Sequence, residues 1–182
     1  DLVADYAFVA CAPNRRGILK HLQKLKSFAF RHTGNRLCAL YTDNEFITEP
    51  IRQWAASDTP FKIQLFPSIP YEHDRVRRVE RLHRTLTDMA NKQLAFKDHL
   101  SPKYWEFSYR HAADLRNIRP KPSLNGQSPY SLYYGNPYDL SKFPTFPFGS
   151  VVMGHLPLNL QTATSGRSDE RYFVGIAHDF NS

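Results

Sequence analysis

The distribution of apolar and polar positions divides the chain into segments of two periods. Residues 6–12 (YAFVACA) form an apolar run of strand length, closed by Pro13 and Asn14, and read as a buried strand. From Gly17 the spacing becomes helical. Ile18, Leu19, Leu22, Leu25, Phe28 and Ala29 share one stripe while Lys20, Lys24 and Lys26 lie off it, which predicts an amphipathic helix packed on a sheet. Thr33-Gly34-Asn35 ends that helix, because glycine adopts the left-handed terminal conformation without steric cost. Residues 37–41 (LCALY) are a second compact strand leading to Thr42-Asp43. Strand, helix and strand in this order predict a right-handed parallel crossover.

A short helix over 45–56 and a third strand over 61–66 (FKIQLF) come next, followed by a loop bounded by Pro67 and Pro70. The stretch 70–86, PYEHDRVRRVERLHRTL, opens a basic helix with Val76, Val79, Leu82, Leu86, Met89 and Ala90 on one side and Glu80 at the edge of that stripe. Ser101-Pro102 supplies an N-cap and first turn for a helix reaching about Asn117, whose Trp105, Phe107 and Tyr109 are expected in the core. A proline-rich connection over 119–129 leads to a short helical piece, SPYSLYYG, ended by Gly135. Apolar runs over 146–153 and 172–177, separated by polar residues 162–170, predict two strands of a small β appendage. The fold class is α/β.

Length and charge narrow the classes of function. A chain of 182 residues can bury a real core, and 24 Lys and Arg against 17 Asp and Glu leave a net charge of +7. The excess is confined: residues 1–135 carry +8 and residues 136–182 carry −1. A polyanion partner fits this balance better than a membrane, and no apolar run is long enough to cross a bilayer. No charged-then-apolar leader precedes the first strand, so the chain reads as soluble and intracellular. Cys11 and Cys38 each sit in an apolar run and are expected as buried free thiols, too few for a thiolate zinc site.

Two acids carry candidate chemistry. Asp43 stands at the C-terminal end of a strand, where open α/β sheets place ligand-binding groups, although an N-cap of the following helix explains it equally well. Glu80 lies among Arg75, Arg77, Arg78, Arg81 and Arg84, a set suited to holding backbone phosphates beside carboxylate-bound divalent ions. The plainer alternative is a solvated helix with Glu80 and Arg84 paired at i, i+4.

The segments YTDNEF, IPYEHDRVRRVERLHRTL, YWEFSYRHAADLRNIRPKPS, SPYSLYYGNPYDL and FPFGSVVM occur in the order seen in integrases of copia-type long-terminal-repeat retrotransposons, whose Pol polyproteins the chain resembles. The resemblance implies an RNase H-like core, Mg2+ or Mn2+, element-end and target DNA as substrates with RNA as a further partner, and strand transfer by a 3′-hydroxyl. It also implies a homo-oligomer acting in the nucleus after a cytoplasmic stage in particles. On matched positions Asp43 is the second catalytic acid and metal ligand, and Glu80 the third. Residues 1–118 would be a partial catalytic core, 119–147 the connection and 148–182 the appendage.

The departures bear on turnover. The family's glycine pair after Asp-Asn is missing from DNEF, and Val76 and Arg77 replace an Asn-Gly before the acidic helix. The first acid belongs on a central strand followed by two more strands before the first helix, whereas one strand precedes that helix here. Asp1 and Asp5 are candidates by residue type, but Asp1 matches the turn ahead of the third strand better; Asp74 has no strand to aim it. The expectation is a core lacking its first two strands, with exposed strand edges and an exposed apolar face. A zinc-binding N-terminal module is also absent, since no paired His and Cys set exists. A non-catalytic nucleic-acid-binding remnant of a transposable element is the alternative to an active integrase.

Overall fold

A computed structural model describes residues 4–12, 14, 17–58, 62–68, 73–96, 100–155 and 168–176, with side chains from Arg77 onward in the third of the α-helices. The chain divides into two units. One comprises Ala10–Arg84, Tyr133–Gly135 and Ala177–Ser182, and the other Asp1–Val9, Thr85–Leu132 and Asn136–Ile176.

In the first unit the amphipathic stripe forms α1 (Ile18–Thr33), with Phe28 buried. Gly34 ends it at φ 69°, donating its N–H to Phe30 O, while Thr33 Oγ1 donates to Ala29 O at 2.8 Å. Strands β1 (Ala39–Thr42) and β2 (Gln64–Pro67) pair in parallel, with Tyr41 opposite Phe66 and Thr42 opposite Pro67. Between them lie a 3-10 turn, Asn44–Phe46, and helix α2 (Glu49–Ser57). The single helix expected over 45–56 is thus split, because Pro50 fits only a first turn and restarts the helix after Thr48. Ile51 and Ala55 bury the inner face of α2, and the Ala55 carbonyl accepts from Ile63 N–H at 3.0 Å, guiding the chain into β2. An ion pair of Lys26 with Asp58 ties α1 to the end of α2. Helix α3 (His73–Ala95) begins in this unit and continues into the other.

The first expected strand does not form: residues 6–12 have no strand partner among the described residues. In the second unit Ala7 N–H donates to Asn117 Oδ1 at 2.9 Å, and Asn117 Nδ2 donates back to the Ala7 carbonyl at 2.8 Å. One buried amide therefore satisfies both backbone groups that a neighbouring strand would otherwise take. The parallel crossover joins β1 to β2 through α2, not residues 6–12 to β1.

Asn117 belongs to α4 (Trp105–Ile118), preceded by a 3-10 turn, Pro102–Tyr104, in which Ser101 Oγ accepts from Lys103 N–H at 3.3 Å. The buried side of α4 is made of Ser108, His111, Ala112, Ala113 and Asn117, whereas Trp105 is 53% exposed. The aromatic core expected for this helix is thus corrected: small residues let it approach α3 closely, and Ser108 Oγ reaches both Ala90 O and Gln93 Oε1 at 2.9 Å. Asp5 closes the same end of the unit, accepting from Arg116 at 2.8 Å and Lys121 at 2.5 Å. After α5 (Pro129–Tyr134) two strands pair antiparallel, β3 (Val151–His155) with β4 (Ser168–Tyr172). β4 takes the polar residues before Tyr172 instead of the apolar run after it. That run supplies Phe173, whose ring packs on His111.

Neither Cys11 nor Cys38 is in a disulfide, and neither is buried: Cys38 is exposed and Cys11 half-buried. Cys38 directly precedes β1, on a pair of strands too short to cover both faces.

Candidate nucleic-acid interface

Asp43 follows β1 in extended conformation, φ −63° and ψ 149°, at the C-terminal end of the parallel pair. Its side chain does not cap the next turn. The main-chain carbonyl accepts from Phe46 N–H at 3.0 Å, and the exposed carboxylate turns to the neighbouring strand, where Oδ1 accepts from Ser68 Oγ at 3.0 Å. Ser68 is held in place by its own N–H, which donates to Thr42 O at 2.9 Å and extends the ladder one residue beyond β2. Tyr41 and Phe66, two residues earlier on each strand, stack at 4.6 Å between ring centroids with planes 13° apart. Side chains alternate along a strand, so the stack and the Asp43–Ser68 bond are successive pairs on one face. The two residues are 40% and 37% exposed.

Glu80 occupies the exposed part of α3. Residues 77–81 are all exposed, Val79 at 61%, and burial begins at Leu86 and Ala90. Of the apolar stripe expected along this helix, Val79 is exposed and Leu82 half-buried, whereas Leu86 and Ala90 are buried. Arg77, Arg78, Arg81 and Arg84 are exposed on two successive turns, with Arg77, Arg81 and Arg84 sharing one side at i, i+4 and i+7. Arg81 Nε reaches the Arg77 carbonyl at 3.3 Å. Arg75 lies in α3, with its side chain outside the described residues; Asp1 and the Pro70-Tyr71-Glu72 approach are likewise outside them, and the side chain of Asp74 with them. Glu80 and Arg84 form no ion pair, so the surface pairing expected for them is absent among the described residues.

A hard divalent ion needs several oxygen donors around it. Among the described residues no three His, Cys, Asp or Glu side chains gather closely enough to hold one. Asp43 and Glu80 supply one exposed carboxylate each, and Asp43 Oδ1 is engaged by Ser68. The described donor set does not fit a two-ion centre. Asp5, a candidate first acid by residue type, is committed to Arg116 and Lys121. Burial works to raise its pKa, but the two cationic hydrogen bonds prevail and hold it at about 2.

Ser68 and the Tyr41–Phe66 pair escape a search for acids and arginines. Their signal is an offset: Tyr-x-Asp on one strand and Phe-x-Ser on the other align once the parallel register is known. Among the described residues no helix is long and apolar enough to cross a membrane.

No protein-family model matches the chain. Over 125 residues, 66% of its length, it is 31% identical to the Retrovirus-related Pol polyprotein from transposon RE2 of Arabidopsis thaliana. The match spans 8% of that polyprotein. It supports a retrotransposon-derived region in a chain of mixed α/β structure.

Proposed function

We propose that this is an integrase-like segment that binds nucleic acid through the arginine face of α3, with DNA, both element ends and target, as the principal partner and RNA as a second polyanion. The observation that carries this reading is the set Arg77, Arg78, Arg81 and Arg84, exposed on two turns of one helix in a chain whose first 135 residues carry +8. Guanidinium groups suit phosphate oxygens in geometry and charge, and each phosphate neutralised releases condensed counterions. Three or four such contacts give a slope of log K against log salt of about −3 to −4 on duplex DNA. Binding of a labelled duplex, followed by anisotropy across a salt series, tests this. Replacing Arg77, Arg81 and Arg84 by Ala should weaken binding and flatten the slope by about 2 to 3; an unchanged slope, or no binding by the unmutated chain, overturns the proposal.

A second reading, metal-dependent strand transfer with Asp43 and Glu80 as ligands for Mg2+ or Mn2+, is favoured by one observation: the Asp43 carboxylate is exposed at the C-terminal end of a parallel strand. Nicking or joining of DNA by the purified chain that disappears in Asp43→Asn and Glu80→Gln would establish it. Inactivity of the unmutated chain leaves binding alone. Nuclear action and a homo-oligomer belong to the same reading of the intact polyprotein.

A further inference from the structure

We propose that the outer edge of β3 is an interface between two copies of this chain, paired antiparallel about a two-fold axis through Met153. The proposal stands on the β3–β4 pair alone and is independent of nucleic-acid binding.

The edge follows from the phase of the hydrogen bonds in that pair. Phe173 N–H donates to Ser150 O at 2.9 Å, just beyond Val151 opposite Tyr172. Such a bond makes Val151–Tyr172 a non-hydrogen-bonded pair, and Met153–Glu170 and His155–Ser168 repeat it at every second residue. The N–H and C=O groups of Val151, Met153 and His155 therefore point away from β4, and those of Val152 and Gly154 toward it. Among the described residues no strand takes the outward groups, because this sheet consists of β3 and β4. The side chains at the same three positions are exposed as well, with Val151 at 59% and Met153 at 66%.

Sequence selects both the edge and its occupant. β4 carries Asp169, Glu170 and Arg171, whereas β3 (VVMGH) contains no Lys, Arg, Asp, Glu or Pro. Charge and proline are the usual deterrents to edge pairing, and β3 has neither. A two-fold axis on β4 would set Glu170 against Glu170, which like charges oppose. On β3 the axis sets Met153 against Met153 of the second copy and Val151 against His155 of the second copy, each pair exchanging N–H and C=O bonds. An axis at Val151 would instead run into the turn in which Ser150 N–H donates to Pro147 O at 3.1 Å. Between the bonded pairs, Val152 meets Gly154 of the second copy. The place of a Gly154 side chain is taken by the Arg171 stem, since a Cβ there would lie 2.5 Å from Arg171 Cδ. The guanidinium is drawn aside to Asp169 at 2.6 Å, so Val152 packs on the apolar part of that stem.

Five residues from each copy make a small interface, so the expected dimer is weak, with a dissociation constant in the micromolar range. Sedimentation equilibrium of the full chain, from about 5 to about 300 μM, measures it. Met153→Lys sets two like charges face to face on the axis and should raise the dissociation constant by about tenfold or more, as should Met153→Glu; Met153→Leu should leave it within about twofold. An equimolar mixture of the Lys and Glu variants should recover the dimer, because position 153 then faces its opposite charge. Met153 is exposed, so either charge is tolerated by the fold, and circular dichroism checks this. A chain that stays monomeric over the whole range overturns the proposal. A dimer that both charged variants leave intact places the contact on another surface and overturns it too, as does a mixture of the two that remains monomeric.

Discussion

Ser68 Oγ donates a 3.0 Å hydrogen bond to Asp43 Oδ1 across the C-terminal end of the parallel pair, one residue past β2. The bond replaces the helix cap that a lone Asp before a turn is expected to make, because the Ser68 N–H to Thr42 O contact brings the hydroxyl within reach of the carboxylate. Exposed hydrogen bonds are worth little against competing water. Ser68→Ala and Asp43→Ala should each cost about 0.5–1 kcal/mol, and the double variant should reveal a coupling below about 1 kcal/mol. Denaturant unfolding of the four proteins measures it. Additive losses would mean that the pair does not interact in solution.

Asn117 carries more. Its amide is fully buried and bonds both the N–H and the carbonyl of Ala7, 110 residues away in sequence. Asn117→Ala leaves two backbone groups without partners and should cost about 2–4 kcal/mol. Asn117→Asp retains an acceptor for Ala7 N–H but cannot donate to its carbonyl, so a loss of similar or larger size is expected at neutral pH. Thermal unfolding by circular dichroism ranks the two; a change under about 0.5 kcal/mol in Asn117→Ala would show that residues 6–9 do not depend on this amide.

The Asp5 cluster sets an acid limit for the same unit. Burial would raise the carboxyl, but the hydrogen bonds from Lys121 and Arg116, with their charges, lower it to about 2 from 3.8. A depressed folded pKa means that the stabilisation is complete above the unfolded value and disappears as pH falls toward about 2. Allowing for the water that still reaches these side chains, the contribution is about 1–2 kcal/mol. The acid unfolding curve of Asp5→Asn should be flatter than that of the unmutated chain between about pH 4 and pH 2, which fluorescence can follow.

His111 sets a milder limit, nearer neutrality. The ring is 1% exposed and lies against Phe148 and Phe173, with centroids 5.8 and 5.6 Å away. Neither nitrogen has a partner in hydrogen-bonding geometry; the Phe146 backbone is near enough to act electrostatically without forming a well-aligned bond. Burial lowers the pKa, and the Asp114 charge and the Phe146 backbone oppose it without prevailing. A base held neutral in the fold is protonated more readily when unfolded, so its stabilisation is complete above the unfolded value of 6.5 and declines as pH falls below it. The slope cannot exceed about 1.4 kcal/mol per pH unit for one proton. His111→Phe should remove this dependence between about pH 7 and pH 5, as measured by denaturant midpoints; a slope equal to that of the unmutated chain would assign the effect elsewhere.

The local signals of fold were legible where one segment decides its own conformation. α1 follows its stripe and stops at Gly34, Gly135 ends α5, and the strand at 61–66 appears three residues along as β2. Signals that depend on distant partners were not. Residues 6–12 have a strand's composition, but Asn117, in a helix that reads as aromatic, takes the backbone bonds of Ala7. Trp105 and Phe107 have a core's composition, but the close approach recorded by Ser108 to Ala90 puts the small residues inside. At the candidate site the two acids and the arginines were visible by type. Ser68 and the aromatic stack became visible only through the parallel register.

The two halves of α3 should differ in stability, with a direct bearing on binding. Leu86 and Ala90 anchor the second half, whereas residues 77–81 bury nothing, and the pairs Arg77/Arg81 and Arg81/Arg84 place like charges on adjacent turns. Each such pair costs about 0.2–0.5 kcal/mol. In hydrogen exchange, amides of residues 77–84 should therefore open more readily than those of 86–94, and duplex DNA should slow the first group while leaving the second unchanged. Arg81→Gln and Arg81→Met each remove both repulsions while leaving Glu80 its neighbours Arg77 and Arg84, so each should slow exchange in the free chain by about two- to fivefold and weaken DNA binding. Order and affinity then change in opposite directions. A helix that needed only rigidity to bind would gain affinity from the same substitutions, and that result would assign binding to a surface other than these arginines.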